Sequence, residues 1–204
     1  INGTIPLANG YETMLLLSWL IMIVSILTTR KLQLMTTFGL IMSGFMLLVS
    51  HLGEMDPSIT PRMPVLNSPL LSIHVSIIMM SYALLSLTFI SAIAYFFTRN
   101  SKRESVISVN KQLTDLSQIF LYPAITTLGL GIFIGAIWAN ISWGTYWGWA
   151  LITFLIYAIP LHTNSLPALR KPENYHFFML LSFLSILMTY FGVNYILGGM
   201  HSYA

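Results

Sequence analysis

Long apolar stretches separated by short polar connections run the whole length of the chain, and they recur at the size a membrane-crossing helix needs. A bilayer's hydrocarbon core of about 30 Å takes roughly 20 apolar residues as α-helix. On that measure the pattern predicts helices at 11–29, 32–52, 70–98, 119–140, 146–162 and 176–197. Helices close their own backbone hydrogen bonds, which lipid-exposed chain must do. The expected fold is therefore all-α: a polytopic membrane bundle of about six transmembrane helices in a single domain, 1–204. The connection at 99–118 is polar enough for a short surface helix around "NKQLTDLSQ". The fifth span is short. Its apolar part, 149–162, reaches only about 21 Å at ~1.5 Å per residue.

Charge orients this bundle. Arg30, Lys31, Arg99, Lys102, Arg103, Lys111, Arg170 and Lys171 fall in the three connections of one face, and only Arg62 falls on the other. Cytoplasmic connections carry the excess of lysine and arginine. Both termini, the 53–69 loop and the loop after the fourth span are thus expected on the outer, periplasmic side of a cytoplasmic (inner) membrane. Composition agrees, with 56% hydrophobic and 7% charged residues against about a quarter charged in soluble domains. Lipid is the expected surrounding, and nothing suggests a nucleic-acid partner. With no cysteine, the chain has no thiol chemistry of its own. A chain that opens on Ile1 reads as a piece of a longer one.

Two residue types stand out against the apolar background. Four of the five tryptophans, Trp138, Trp143, Trp147 and Trp149, crowd into 138–149 together with Asn140, Gly144 and Gly148. Interfacial tryptophans are commonly anchors. This density, with glycines that allow close backbone approach, is also the composition of a stacking surface for a flat apolar ligand. The five histidines fall at two depths. His51, His74 and His201 lie toward the outer surface, His162 and His176 toward the inner. Imidazole is a usual axial ligand of haem iron, so an outer histidine pair beside an aromatic shelf is a candidate haem site. His74 lies among apolar neighbours in "LLSIHVSIIMMSYALL", whereas His51 and His176 read as solvated helix ends. The methionines sit in apolar runs and read as gap-fillers.

Several classes lose support. There is no Gly-rich phosphate loop, His-Glu-x-x-His motif, nucleophile elbow or paired-carboxylate site. Glu12, Glu54, Asp56, Glu104, Asp115 and Glu173 all fall in loops or at span ends, which disfavours an ion pump built on an intramembrane carboxylate.

The segments "PRMPVLNSPLLSIHVSIIMMSYALL" (61–85), "GIFIGAIWANISWGTYWGW" (131–149), "ALITFLIYAIPLH" (150–162) and "LMTYFGVNYILGGMHSYA" (187–204) together resemble the CcsA (ResC) family of system II cytochrome c biogenesis proteins. The resemblance runs from position 53 to the end and is weaker in the first two spans. It implies a cytochrome c synthase component, of haem-lyase type, that exports haem b and presents it for attachment to the Cys-x-x-Cys-His motif of apocytochrome c. It further implies that His74 and His201 ligate an outer haem beside the tryptophan-rich loop. His162 then serves an inner haem with a histidine from a CcsB (ResB)-like partner, separate or fused. Thiol-reducing proteins and apocytochrome c are the other implied partners. The family's loop carries about six more residues between its last tryptophans, which predicts a gap near Trp149 and accounts for the short fifth span. Other readings of the same residues are a dihaem electron carrier with His162 and His176 as its inner pair, a haem exporter without lyase activity, and a structural subunit whose tryptophans are anchors.

Overall fold

In the structure, a computed structural model, residues 7, 9–53, 55, 68–143, 149–163 and 165–196 are described. All their regular structure is helical. In chain order the helices are α1 (Gly10–Thr28), α2 (Leu34–Leu52), α3 (Pro69–Thr98), α4 (Glu104–Trp143), α5 (Trp149–Ala158) and α6 (Pro172–Leu187). Five apolar helical stretches among the described residues are long enough to cross a membrane, and Ala150–His162 is a shorter sixth.

Each boundary has a local cause. Asn9 caps α1 by accepting from the Glu12 N–H at 2.8 Å, satisfying a donor that the first turn leaves free. Proline stands in the first turn of α3 and of α6, where its missing N–H costs nothing. The fifth span stays short: α5 has 10 residues and continues as a 3-10 turn over Ile159–His162, about 23 Å together. The junction at which a gap is expected, Trp149 to Ala150, lies in the first turn of α5.

Two elements depart from expectation. The polar segment at 99–118 is not a separate surface helix. From Glu104 it forms the first turns of α4, a single helix of 40 residues. No proline or glycine interrupts 104–122, and Leu113, Leu116, Ser117, Phe120 and Leu121 recur at helical spacing on one buried stripe. The sixth helix begins at Pro172 rather than 176 and passes into a π-helix over Met188–Ile196. The earlier start matters for His176, which the extra turn carries into the bundle.

α3 is the most buried of the spans. It packs chiefly on antiparallel α4, with α1 and α6 as further neighbours and α2 against α1. Water drives little of this in lipid; close packing of small residues and interhelical hydrogen bonds do. Ser81 Oγ donates to the Ala124 carbonyl at 2.8 Å between α3 and α4. Thr153 of α5 meets Thr189 at 2.7 Å in the π-helical stretch. Where α1 crosses α2, Gly39 lies so close to the Ser25 side chain that a methyl group has no room, while Gly44 meets nothing within 4 Å. Gly39→Ala is therefore expected to cost about 1–3 kcal/mol by overpacking, and Gly44→Ala to be neutral or stabilising by up to ~1 kcal/mol. Thermal unfolding of the two variants in detergent checks the contrast.

Candidate functional site

One end of the α3–α4 pair, near the start of α3 and the end of α4, holds His74 and Trp138. On α3, Leu71, His74, Val75 and Ile78 follow i, i+3, i+4, i+7 spacing and share the face toward α4. His74 is partly buried, and its Nδ1 lies 2.7 Å from the Gly131 carbonyl oxygen. A carbonyl can only accept, so Nδ1 carries the proton and donates. Nε2 is left as the lone-pair nitrogen. This is the arrangement a metal-ligating histidine uses, with its second nitrogen anchored so that tautomer and ring orientation are set. The residue present thus fits an axial ligand to haem iron.

Trp138 is not on a water-facing loop. It sits in α4, 2% exposed, packed with Leu71, Ala139, Leu70 and Val75. Its partners Leu71 and Val75 flank His74 on α3, whereas Asn140, two residues on, is exposed. Gly144, Trp147 and His201 lie outside the described residues, as do the side chains of Trp143 and Trp149. Of the expected outer site, His74 and Trp138 are brought together on one helix pair.

The opposite end holds His162 and His176. Along α3, His74 and Tyr95 are separated by about 32 Å at ~1.5 Å per residue, roughly one hydrocarbon thickness. His162 closes the 3-10 turn after α5 and is exposed. Beside it is an open groove of about 300 Å³, lined by Asp115, Gln118, Tyr122, Pro160, Leu161 and Thr163 among others. The His162 imidazole is thus open to the surroundings of the bundle.

His176 is not a solvated helix end. It is wholly buried, its ring stacked on Tyr95 at 4.3 Å and edge-on to Tyr175 at 5.3 Å. Its Nε2 bonds the Thr114 hydroxyl at 2.9 Å, and Nδ1 has no hydrogen-bond partner among the described residues. Nearby, Tyr175 meets Ser117 at 3.2 Å, and Arg99 reaches Glu173 at 3.6 Å. That exposed ion pair contributes under ~1 kcal/mol. His176 therefore ties α3, α4 and α6 together. The sequence signal for this was available in Asn110, Thr114 and Ser117, polar residues at helical spacing on an otherwise apolar stripe.

A family model described as "Cytochrome C assembly protein" matches residues 7–201. The chain belongs to this family. Among its relatives, Protein NrfI of Wolinella succinogenes is 39% identical over 217 residues, which cover 100% of this chain but 24% of NrfI. The cytochrome c biogenesis proteins CcsA of Hordeum vulgare and of Mesostigma viride are each 30% identical. The match covers 99% and 97% of this chain, and 78% and 77% of those proteins, respectively. The chain thus spans about a quarter of NrfI and about three quarters of the CcsA proteins. As a cytochrome c assembly protein, it is a multi-pass membrane protein with a role in cytochrome c biogenesis, and its family implies the handling of haem.

The Thr114–His176 bond yields a test of the packing at this end. Thr114→Val leaves Nε2 of a buried imidazole unpaired, a loss of about 1–3 kcal/mol. Adding His176→Leu removes the stranded group, so the double variant is expected to lose less than the sum of the two single losses. Thermal unfolding of the three variants measures this coupling.

Proposed function

We infer that this protein accepts haem b at the inner side of the membrane and holds it at the outer face while it is attached to apocytochrome c. The observation that carries this reading is His74, whose Nδ1 is anchored to the Gly131 carbonyl at 2.7 Å, so that Nε2 carries the lone pair an iron ligand needs. His201 is the second outer ligand in this reading, and Trp138, Asn140, Trp143, Gly144, Trp147 and Trp149 form the surface beside it. His162, exposed at the inner end, shares an inner haem with a histidine of a CcsB-like subunit or fused domain. The eight basic residues gathered toward one end of the bundle support this orientation by the positive-inside rule.

The chemistry at the outer site is positioning. Each thiol of the apocytochrome's Cys-x-x-Cys-His segment adds across a vinyl group: sulfur bonds one carbon, the thiol proton goes to the other, and no electrons are lost or gained. The segment's own histidine replaces one of the two protein ligands. A haem clamped by two imidazoles lies with its vinyls fixed relative to the docked peptide, which converts a collision between partners into a reaction within one complex. This chain has no cysteine, so reduction of the apocytochrome thiols falls to other proteins.

The dihaem electron-carrier alternative needs His176 as a ligand. That imidazole is enclosed by Tyr95 and Tyr175 with its Nε2 held by Thr114, surroundings that favour a structural role. Optical spectra of the protein purified with its partner separate the two readings. His74→Ala is expected to lose most of the reduced bis-imidazole signal of the outer haem, with partial recovery in free imidazole. His176→Ala is expected to retain it. A full signal in His74→Ala, or its loss only in His176→Ala, overturns the synthase reading.

A further inference from the structure

The bond that sets the tautomer of His74 depends on a side chain that is absent. In an α-helix the carbonyl of residue i points along the axis toward the N–H of residue i+4. The Gly131 carbonyl therefore sits directly beneath Gly135. A side chain at 135 would cover that oxygen; glycine leaves it open from the side. The space is filled by the imidazole. The three atoms nearest to a Cβ built on Gly135 all belong to His74, with Cε1 at 2.5 Å, Nδ1 at 2.6 Å and Nε2 at 3.2 Å. One turn below, a Cβ on Gly131 would meet Ile78 Cδ1 at 2.6 Å, so the same glycine pair brings α3 and α4 close enough for the bond to form.

Small residues four apart are ordinary at helix crossings in membranes. This pair differs in what occupies the notch: an imidazole held by its own hydrogen bond, rather than an aliphatic side chain. We propose that Gly135, with the Gly131 carbonyl, is a positioning residue for His74, fixing its Nδ1–H tautomer and its ring plane so that Nε2 is presented to haem iron. The proposal rests on His74 being an iron ligand. Its specific content is that Gly135 acts through the ring of His74 and through nothing else.

A methyl group at 135 pushes the ring off the carbonyl, freeing the imidazole to rotate and to exchange tautomers. A double-mutant cycle isolates this effect. The full chain purified with its partner is compared as wild type, Gly135→Ala, His74→Ala and the double variant, each with and without free imidazole. The reduced spectrum and the iron midpoint potential are read per mole of protein. Gly135→Ala is expected to lower the bis-imidazole signal several-fold, with five-coordinate features in its place, and free imidazole to restore most of it. In the His74→Ala background, with imidazole supplied, Gly135→Ala is expected to change neither signal nor potential, because the atoms it would strike are gone. Gly39→Ala, equally crowded but between α1 and α2, is the packing control and is expected to keep the wild-type spectrum.

An unchanged spectrum in Gly135→Ala overturns the proposal. So does an equal loss in the His74→Ala background or in Gly39→Ala, either of which makes the effect general packing damage. If Gly135→Ala does not accumulate, the double variant decides: its recovery with an imidazole-restored signal supports the proposal, and its failure overturns it. A normal signal in His74→Ala removes the functional reading itself, whereas loss in His74→Ala beside an unchanged Gly135→Ala removes the positioning role alone.

Discussion

The close approach of α3 to α4 is the contact on which the remainder depends. Inside a bilayer no water gain rewards apolar contact, so two helices hold together only where their backbones come near enough for dense packing and direct hydrogen bonds. The α4 glycines meet this need at one end, Ser81 and the Ala124 carbonyl in the middle, and the Thr98 bond to Asn110 at the other. Because α3 also touches α1, α2 and α6, the pair acts as the spine against which the other spans are placed. The two histidine levels follow from it, since His74 lies near the start of α3 and Tyr95, the partner of His176, near its end.

Polar groups in this bundle fall into two kinds. Many serine and threonine hydroxyls bond a carbonyl one turn back on their own helix, as Ser86, Ser91 and Ser182 do, and thereby hide a polar atom without committing it to a neighbour. A smaller set reaches across: Thr114 to His176, Ser117 to Tyr175, Thr153 to Thr189. The second set joins α6 and the π-helical stretch to their neighbours, and others of the kind act elsewhere: Ser18 of α1 donates to the Ser43 carbonyl of α2 at 3.2 Å, beside the close steric fit at Gly39.

Much of this was legible in the sequence. Span number and approximate ends follow from apolar run length, and the two depths of histidine follow from where those runs stop. The family segments also pointed to His74 rather than to its neighbours. What the chain alone hid was three-dimensional phase. Polarity at 104–118 suggested a surface helix, because residues such as Lys111, Gln112 and Asp115 are hydrophilic, yet Leu113, Leu116 and Ser117 turn inward on the same continuous helix. His176 read as an end residue because polar neighbours such as Asn174 precede it; its partner hydroxyl lies 62 positions away. Trp138 was placed within the fourth span by its apolar run, but its full burial against Leu71 was not legible.

The continuity of α4 has a mechanical meaning. At 40 residues it is a rod of about 60 Å, near twice the thickness of the hydrocarbon layer. Its first turns carry exposed polar residues, and its later turns carry the oxygen that grips the His74 ring. Between them lies Pro123, whose ring removes one backbone hydrogen bond and makes this the place where the helix bends. A pull on the first turns therefore reaches that oxygen through the proline joint, and the grip on a ligand at one end of the bundle depends on how that joint is held.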